Sequence, residues 1–174
     1  MDRAAIQELF DYTGWAWDRI ERVIDGLPEG TFEKPVPGSG WPAIRDCFEH
    51  FVGAYDGWIN EGWGLGPLIH QGPETIATWG KAKAYRRQLR EAFRHALAAP
   101  DEVLFDEAEY EYGGGPETWS RAHMLTNLLL HERGHHGDLN TLFHQLGVQS
   151  YIIDYRYFVT KPTEFEMDED DEDD

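Results

Sequence analysis

Apolar side chains recur at three- and four-residue steps over long stretches of this chain, and that period limits what it can build. Ile6, Leu9, Phe10, Thr13, Trp17, Ile20 and Ile24 mark one stripe, which predicts a helix over about residues 2–26. "LPEGTFEKPVPGSG" interrupts it with proline and glycine. A second helix is expected from near Pro42, a residue suited to a first helical turn, to about Asn60, with Ile44, Phe48, Phe51, Tyr55 and Trp58 along one side. "EGWGLGPLIHQGPE" reads as a glycine-rich loop with an exposed Trp63, and a third helix follows over about Thr75–Leu97. The fourth is expected from Ser120, an N-cap residue type, to Leu146, with Gly147 placed to end it. Between the last two lies "AAPDEVLFDEAEYEYGGGPETW", a long connection with an extended piece closed by the glycine triplet. "YIIDYRYFV" is expected to pack across the bundle. The expected fold class is therefore all-α, a four-helix bundle with a long connection between its third and fourth helices. Residues 1–160 form one domain and residues 161–174 an acidic tail.

Charge narrows the function. The net charge is −18, and the last eleven residues, "EFEMDEDDEDD", supply nine carboxylates, half of that excess. Such a run cannot bury apolar surface and repels itself, so it reads as a disordered, solubilising tail. The body stays acidic, which excludes DNA binding through a basic face. Arg86, Arg87, Arg90 and Arg94 in "KAKAYRRQLREAFRH" read as a solvated helix face, with a secondary expectation that the tail folds back onto it. No apolar run reaches the roughly 18 residues of a membrane span, and the first residues carry no secretory pattern. The single cysteine, Cys47, rules out an internal disulfide framework and fits a cytoplasmic protein.

The chemistry concentrates in "HERGHHGDLNTLFHQLG". His131 and His135 are four residues apart, so on a helix they stack one turn above each other and can share a cation. His123 and Asn127 extend the stripe, while His136 is turned about 100° away and faces elsewhere. A third ligand must come from another helix, and His50 is the candidate. Spacing alone leaves open a histidine pair on a solvated face and a hydrogen-bonded core His50. His131-Glu132-x-x-His135 also has the spacing of a zinc-peptidase helix. The extended form of that motif wants Gly and His where Asp138 and Thr141 stand, and little chain remains for a downstream carboxylate. Glu132 is expected to be an exposed, salt-bridging residue.

More of the chain resembles the DinB-like superfamily, whose last bundle helix carries His-x3-His, an Arg-Gly-Gln-like element and an apolar stretch ending in Leu-Gly. His131, His135 and Gly137 match; His136 stands where Arg is frequent and Asp138 where Gln is. "HFVGAYDGW" matches the second-helix signature of a His followed eight residues later by a Trp, His50 and Trp58. Tyr55 replaces a frequent carboxylate, which puts an acid/base role there in doubt. "WSRAHMLTN" and "IIDYRYFV" are similar to the lead-in and closing segments, and the likeness spans residues 1–160.

The resemblance implies one divalent metal, zinc or nickel, held by His50, His131 and His135. It also implies a homodimer, and a metal-dependent S-transferase or hydrolase acting on a small molecule, with a low-molecular-weight thiol as possible cosubstrate. Three neutral imidazoles would leave the ion its charge and an open position, the pattern of catalytic sites. Asp138, Asn127 and Tyr55 are candidates to orient imidazoles. Cys47 is either a fourth ligand that closes the site or a small buried hydrophobe. Trp41, Trp58, Trp63 and Trp119 either line a pocket or fill the core. The competing class is a metal- or small-molecule-binding module without turnover.

Overall fold

The long helices form where the periodicity places them. In the computed structural model, which describes residues 2–112 and 115–161, α1 spans Arg3–Asp25, and the Asp2 side chain accepts from Ala5 N at 2.9 Å to cap it. α2 spans Ile44–Tyr55 and continues as a π-helical segment, Asp56–Gly62. α3 is Trp79–Leu97. It starts later than the sequence suggests because Thr78 is extended and caps Lys81 N with its hydroxyl, leaving Pro73–Ile76 as a separate 3-10 turn. A single turn, α4, covers Asp101–Leu104. α5 is Arg121–Gln145, capped by Ser120, with Gly147 at φ +70° just beyond its end.

These helices close a four-helix bundle. α5 packs against both α1 and α2, and Phe10 of α1 stacks on Phe93 of α3 at 4.7 Å. Trp17, Phe48, Phe51, Leu89, Leu125, Leu139 and Phe143 fill the centre, each almost fully buried. At about 1.5–3 kcal/mol for each large side chain, this shared core is the main source of the fold's stability.

The connection between α3 and α5 is a hairpin. β1 (Glu107–Tyr112) pairs antiparallel with β2 (Gly115–Ser120), with Ala108 opposite Trp119. Alternation in "EAEYEY" puts Ala108 and Tyr110 on the face opposite Glu107 and Glu109. The ring of Trp119 meets Trp58 edge-on at 4.9 Å, which ties the hairpin to the π-helical segment. Trp63, expected to be exposed, is buried at 9 %, with the Arg121 guanidinium 5.4 Å over its ring.

After α5 the chain runs extended beside α1, where Tyr12 Oη donates to Ile153 O at 2.7 Å, and ends in the short helix α6, Tyr155–Thr160. The expected disorder of the acidic tail, and its expected contact with α3, concern residues outside those described. The α3 side of that expectation needs correction, because Arg86 is 8 % exposed and Arg90 is largely covered. Arg94 is exposed and bonds Glu91.

Candidate metal centre

His50 lies near the middle of α2, and His131 and His135 lie one turn apart on α5. Packing of α2 on α5 brings the three rings together. The Nε2 atom of His131 is 3.2 Å from Nε2 of His50 and 3.1 Å from Nε2 of His135. Around one tetrahedral ion with metal–nitrogen bonds of about 2.0–2.1 Å, donor atoms would stand about 3.3 Å apart, so the spacing fits a shared cation within a few tenths of an ångström. Three nitrogen lone pairs this close repel unless a cation or a proton lies among them. His50 is exposed, and His131 and His135 are half-buried. Burial, followed by the neighbouring His135, lowers the His50 pKa. Burial, then His135 and His50, lowers that of His131. Both rings therefore favour the neutral form that binds metals.

Asp138 is the orienting group. Its Oδ2 lies 2.8 Å from Nδ1 of His135 and accepts from Trp41 Nε1 at 2.9 Å. With Nδ1–H donated to the carboxylate, the Nε2 lone pair points at the other two imidazoles. Trp41 lies 5.1 Å from the His50 ring and 5.4 Å from that of His135, and Phe51 stacks on His135 from the core side at 6.0 Å. Of the four tryptophans considered from sequence, Trp41 borders the imidazoles, whereas Trp58 and Trp119 pair with each other and Trp63 is buried.

Cys47 is fully buried, and its Sγ is 3.9 Å from the His135 carbonyl. It groups with His135 and Asp138, outside the set of His50, His131 and His135. Burial, helped by Asp138, pushes its thiol well above the ordinary value, so it behaves as a small apolar side chain. His123 and Asn127 are exposed on α5, and His123 is outside the convergent group.

Glu132 departs from expectation. It is 1 % exposed and points into the bundle, where Arg86 Nη2 donates to its Oε1 at 2.7 Å and Tyr55 Oη donates to its Oε2. Arg90 Nη1 stands 4.0 Å away and His136 Nε2 3.4 Å away. Burial works to raise the carboxyl pKa, and Arg86, His136 and Arg90 outweigh it, leaving the pKa below the usual carboxylate range. Tyr55 is thus a partner of Glu132, not of an imidazole. Arg86 lies 4.3 Å over Trp17; Arg90 lies 3.3 Å over Phe10 and donates to Thr13 Oγ1 and Phe10 O. The signal for this network was in the sequence: Leu125, Leu128, Glu132, His136, Leu139 and Phe143 form a single stripe at helical spacing.

A family model described as the DinB family matches residues 1–168. No curated protein matches the chain.

Proposed function

The chain belongs to the DinB family, and we propose that it works as a metal-dependent enzyme, with His50, His131 and His135 as ligands of one divalent ion, zinc or nickel. The observation that carries this reading is the convergence of three Nε2 atoms from two helices beside an exposed edge of the bundle. All-imidazole donors suit both ions. Bound there, the ion would supply Lewis-acid chemistry, favouring the deprotonated form of a water or thiol that approaches it.

The remaining work falls to the chain's own residues. Asp138 holds His135 in one tautomer, and Trp41 fixes Asp138 while covering one side of the imidazoles. Cys47 stays protonated and leaves the position for an incoming group free. Glu132 is committed to Arg86 and Tyr55 inside the core and so cannot serve as the water-activating base of a zinc peptidase. The reading therefore favours transfer of a low-molecular-weight thiol to a small electrophile, with metal-assisted hydrolysis of a small molecule second.

The family resemblance supports a homodimer acting on a small molecule, and the single cysteine, Cys47, fits a reducing cytoplasm. The sequence offers no basic face for nucleic acid. Among the described residues no helix is long and apolar enough to cross a membrane. The test is turnover of electrophile panels by the zinc- or nickel-loaded protein, with and without low-molecular-weight thiols. Thiol-dependent consumption that His131→Ala abolishes supports the transferase. Consumption of esters without thiol would move the assignment to the hydrolase. Full metal loading with no turnover on either panel would reduce the chain to a metal-binding module.

A further inference from the structure

Trp41 borders the imidazoles from a loop outside the two helices that carry them, and the chain around it is built to hold it still. Val36 N donates to Pro42 O at 2.8 Å and Arg45 N to Phe32 O at 2.9 Å, which closes the base of the loop. Gly38, at φ +81°, supplies its turn. Trp41 N donates to Ser39 Oγ at 3.0 Å, and the indole Nε1 donates to Asp138 at 2.9 Å. Backbone and ring are both tied, so the orientation of the indole is set before any ligand arrives.

The approaches to the three rings differ. Phe51 lies against His135 from the core at 6.0 Å, and α2 and α5 close the flanks. His50 is exposed, so the way in passes its ring. Trp41 stands beside that way. Its ring is 5.1 Å from that of His50, tilted by 43°, and meets His135 at 5.4 Å and 77°, nearly edge-on. The indole is half-buried, which leaves part of its surface to a further group. Charge restricts what that group can be. Asp46, one turn before His50 on α2, and Asp138, beside His135, both bring carboxylates. Arg45 is bonded to Asp46 and Arg133 to Tyr12, so these cations are already engaged.

We propose that Trp41 determines the specificity of the centre: it packs against the body of the small molecule and selects a flat, uncharged body, aromatic or conjugated, over an aliphatic one of the same size. The inference rests on the metal-dependent reading above and adds the substrate class to it. Aromatic pairs gain more than their buried area alone supplies, and an indole already fixed in place needs no further ordering when its partner binds. A body carrying a carboxylate or phosphate would instead meet the like charges of Asp46 and Asp138.

Thiol binding to the cobalt(II)-loaded protein, followed by absorption spectroscopy, tests this without turnover; cobalt suits the same imidazole donors. Phenylmethanethiol and cyclohexylmethanethiol carry six-membered rings on the same linker. The unmodified chain is expected to bind the first about fivefold more tightly, the size of one aromatic pair. Trp41→Leu, which keeps apolar bulk, should bind the two equally, whereas Trp41→Phe should retain a preference. Each ratio is taken within one protein, so a weakened hold on the metal or on Asp138 acts on both thiols alike and cancels. 4-(Mercaptomethyl)benzoate, the aromatic thiol with a carboxylate added, should bind more weakly than phenylmethanethiol. Equal binding of the two uncharged thiols by the unmodified chain, or an unchanged preference in Trp41→Leu, overturns the proposal and leaves the metal centre standing. Binding of the benzoate as tight as that of phenylmethanethiol overturns the uncharged class. An unmodified chain that takes up no cobalt defeats the metal centre itself, and this inference with it.

Discussion

His131 and Glu132 are adjacent in sequence, yet α5 turns the first toward His50 at the bundle's edge and buries the second against Arg86 in its core. Two neighbouring side chains thus serve separate ends, one the candidate metal centre and the other the register of α2, α3 and α5.

The core role of Glu132 predicts a stability effect. Glu132→Ala leaves Arg86 and Arg90 without their carboxylate inside the bundle, and removing one member of a buried pair costs about 3–5 kcal/mol. Urea unfolding of the metal-free protein should show a loss of that size. A change under about 0.5 kcal/mol, the range of an ordinary surface substitution, would mean the network is not as buried as described.

Protons should compete with the metal in a direction set by the ligands. Burial depresses the pKa values of His50 and His131, so both rings stay neutral above the ordinary imidazole value of about 6.5. Metal affinity is therefore full above that pH and falls only as acidity drives the protonated forms. Dialysis at a series of pH values, followed by metal analysis, should place the loss below about 6.5. Metal loss beginning above pH 7.5 would disagree.

Asp138 should matter without touching the ion. Asp138→Asn removes the carboxylate that orients His135 and is expected to weaken metal affinity by about 10–100-fold. Trp41→Phe, which removes the indole N–H bonded to Asp138, should weaken it less. Competition with a chelator reads both effects, and unchanged affinity in Asp138→Asn would remove its positioning role.

Cys47→Ala should leave metal content unaltered, because the thiol lies outside the imidazole group and burial keeps it protonated. Its cost should be confined to packing, about 1 kcal/mol. Lower metal content in this variant, with folding intact, would make Cys47 a ligand.

The bundle and the three histidines were readable because their signals are local: helical apolar spacing, Ser120 and Gly147 at the ends of α5, and His131 and His135 one turn apart. The hairpin was less visible, since "EAEYEY" alternates over six residues only and its apolar partners, Trp58 and Trp119, are far apart in sequence. Arg86, Arg90 and Glu132 were misread as surface residues because charge ordinarily marks solvent. Their burial depends on mutual neutralisation between α3 and α5, a long-range fact. Glu132 and His136 nonetheless occupy the apolar stripe of α5, and position there outweighed residue type.

The most direct test of the metal centre is elemental analysis of protein purified without added metal, beside His50→Ala, His131→Ala and His135→Ala. The account predicts close to one zinc or nickel per chain in the parent and near-complete loss in each variant with the helical signal retained. A parent with no bound metal after incubation with zinc or nickel, or a His135→Ala variant that keeps its full complement, would contradict it.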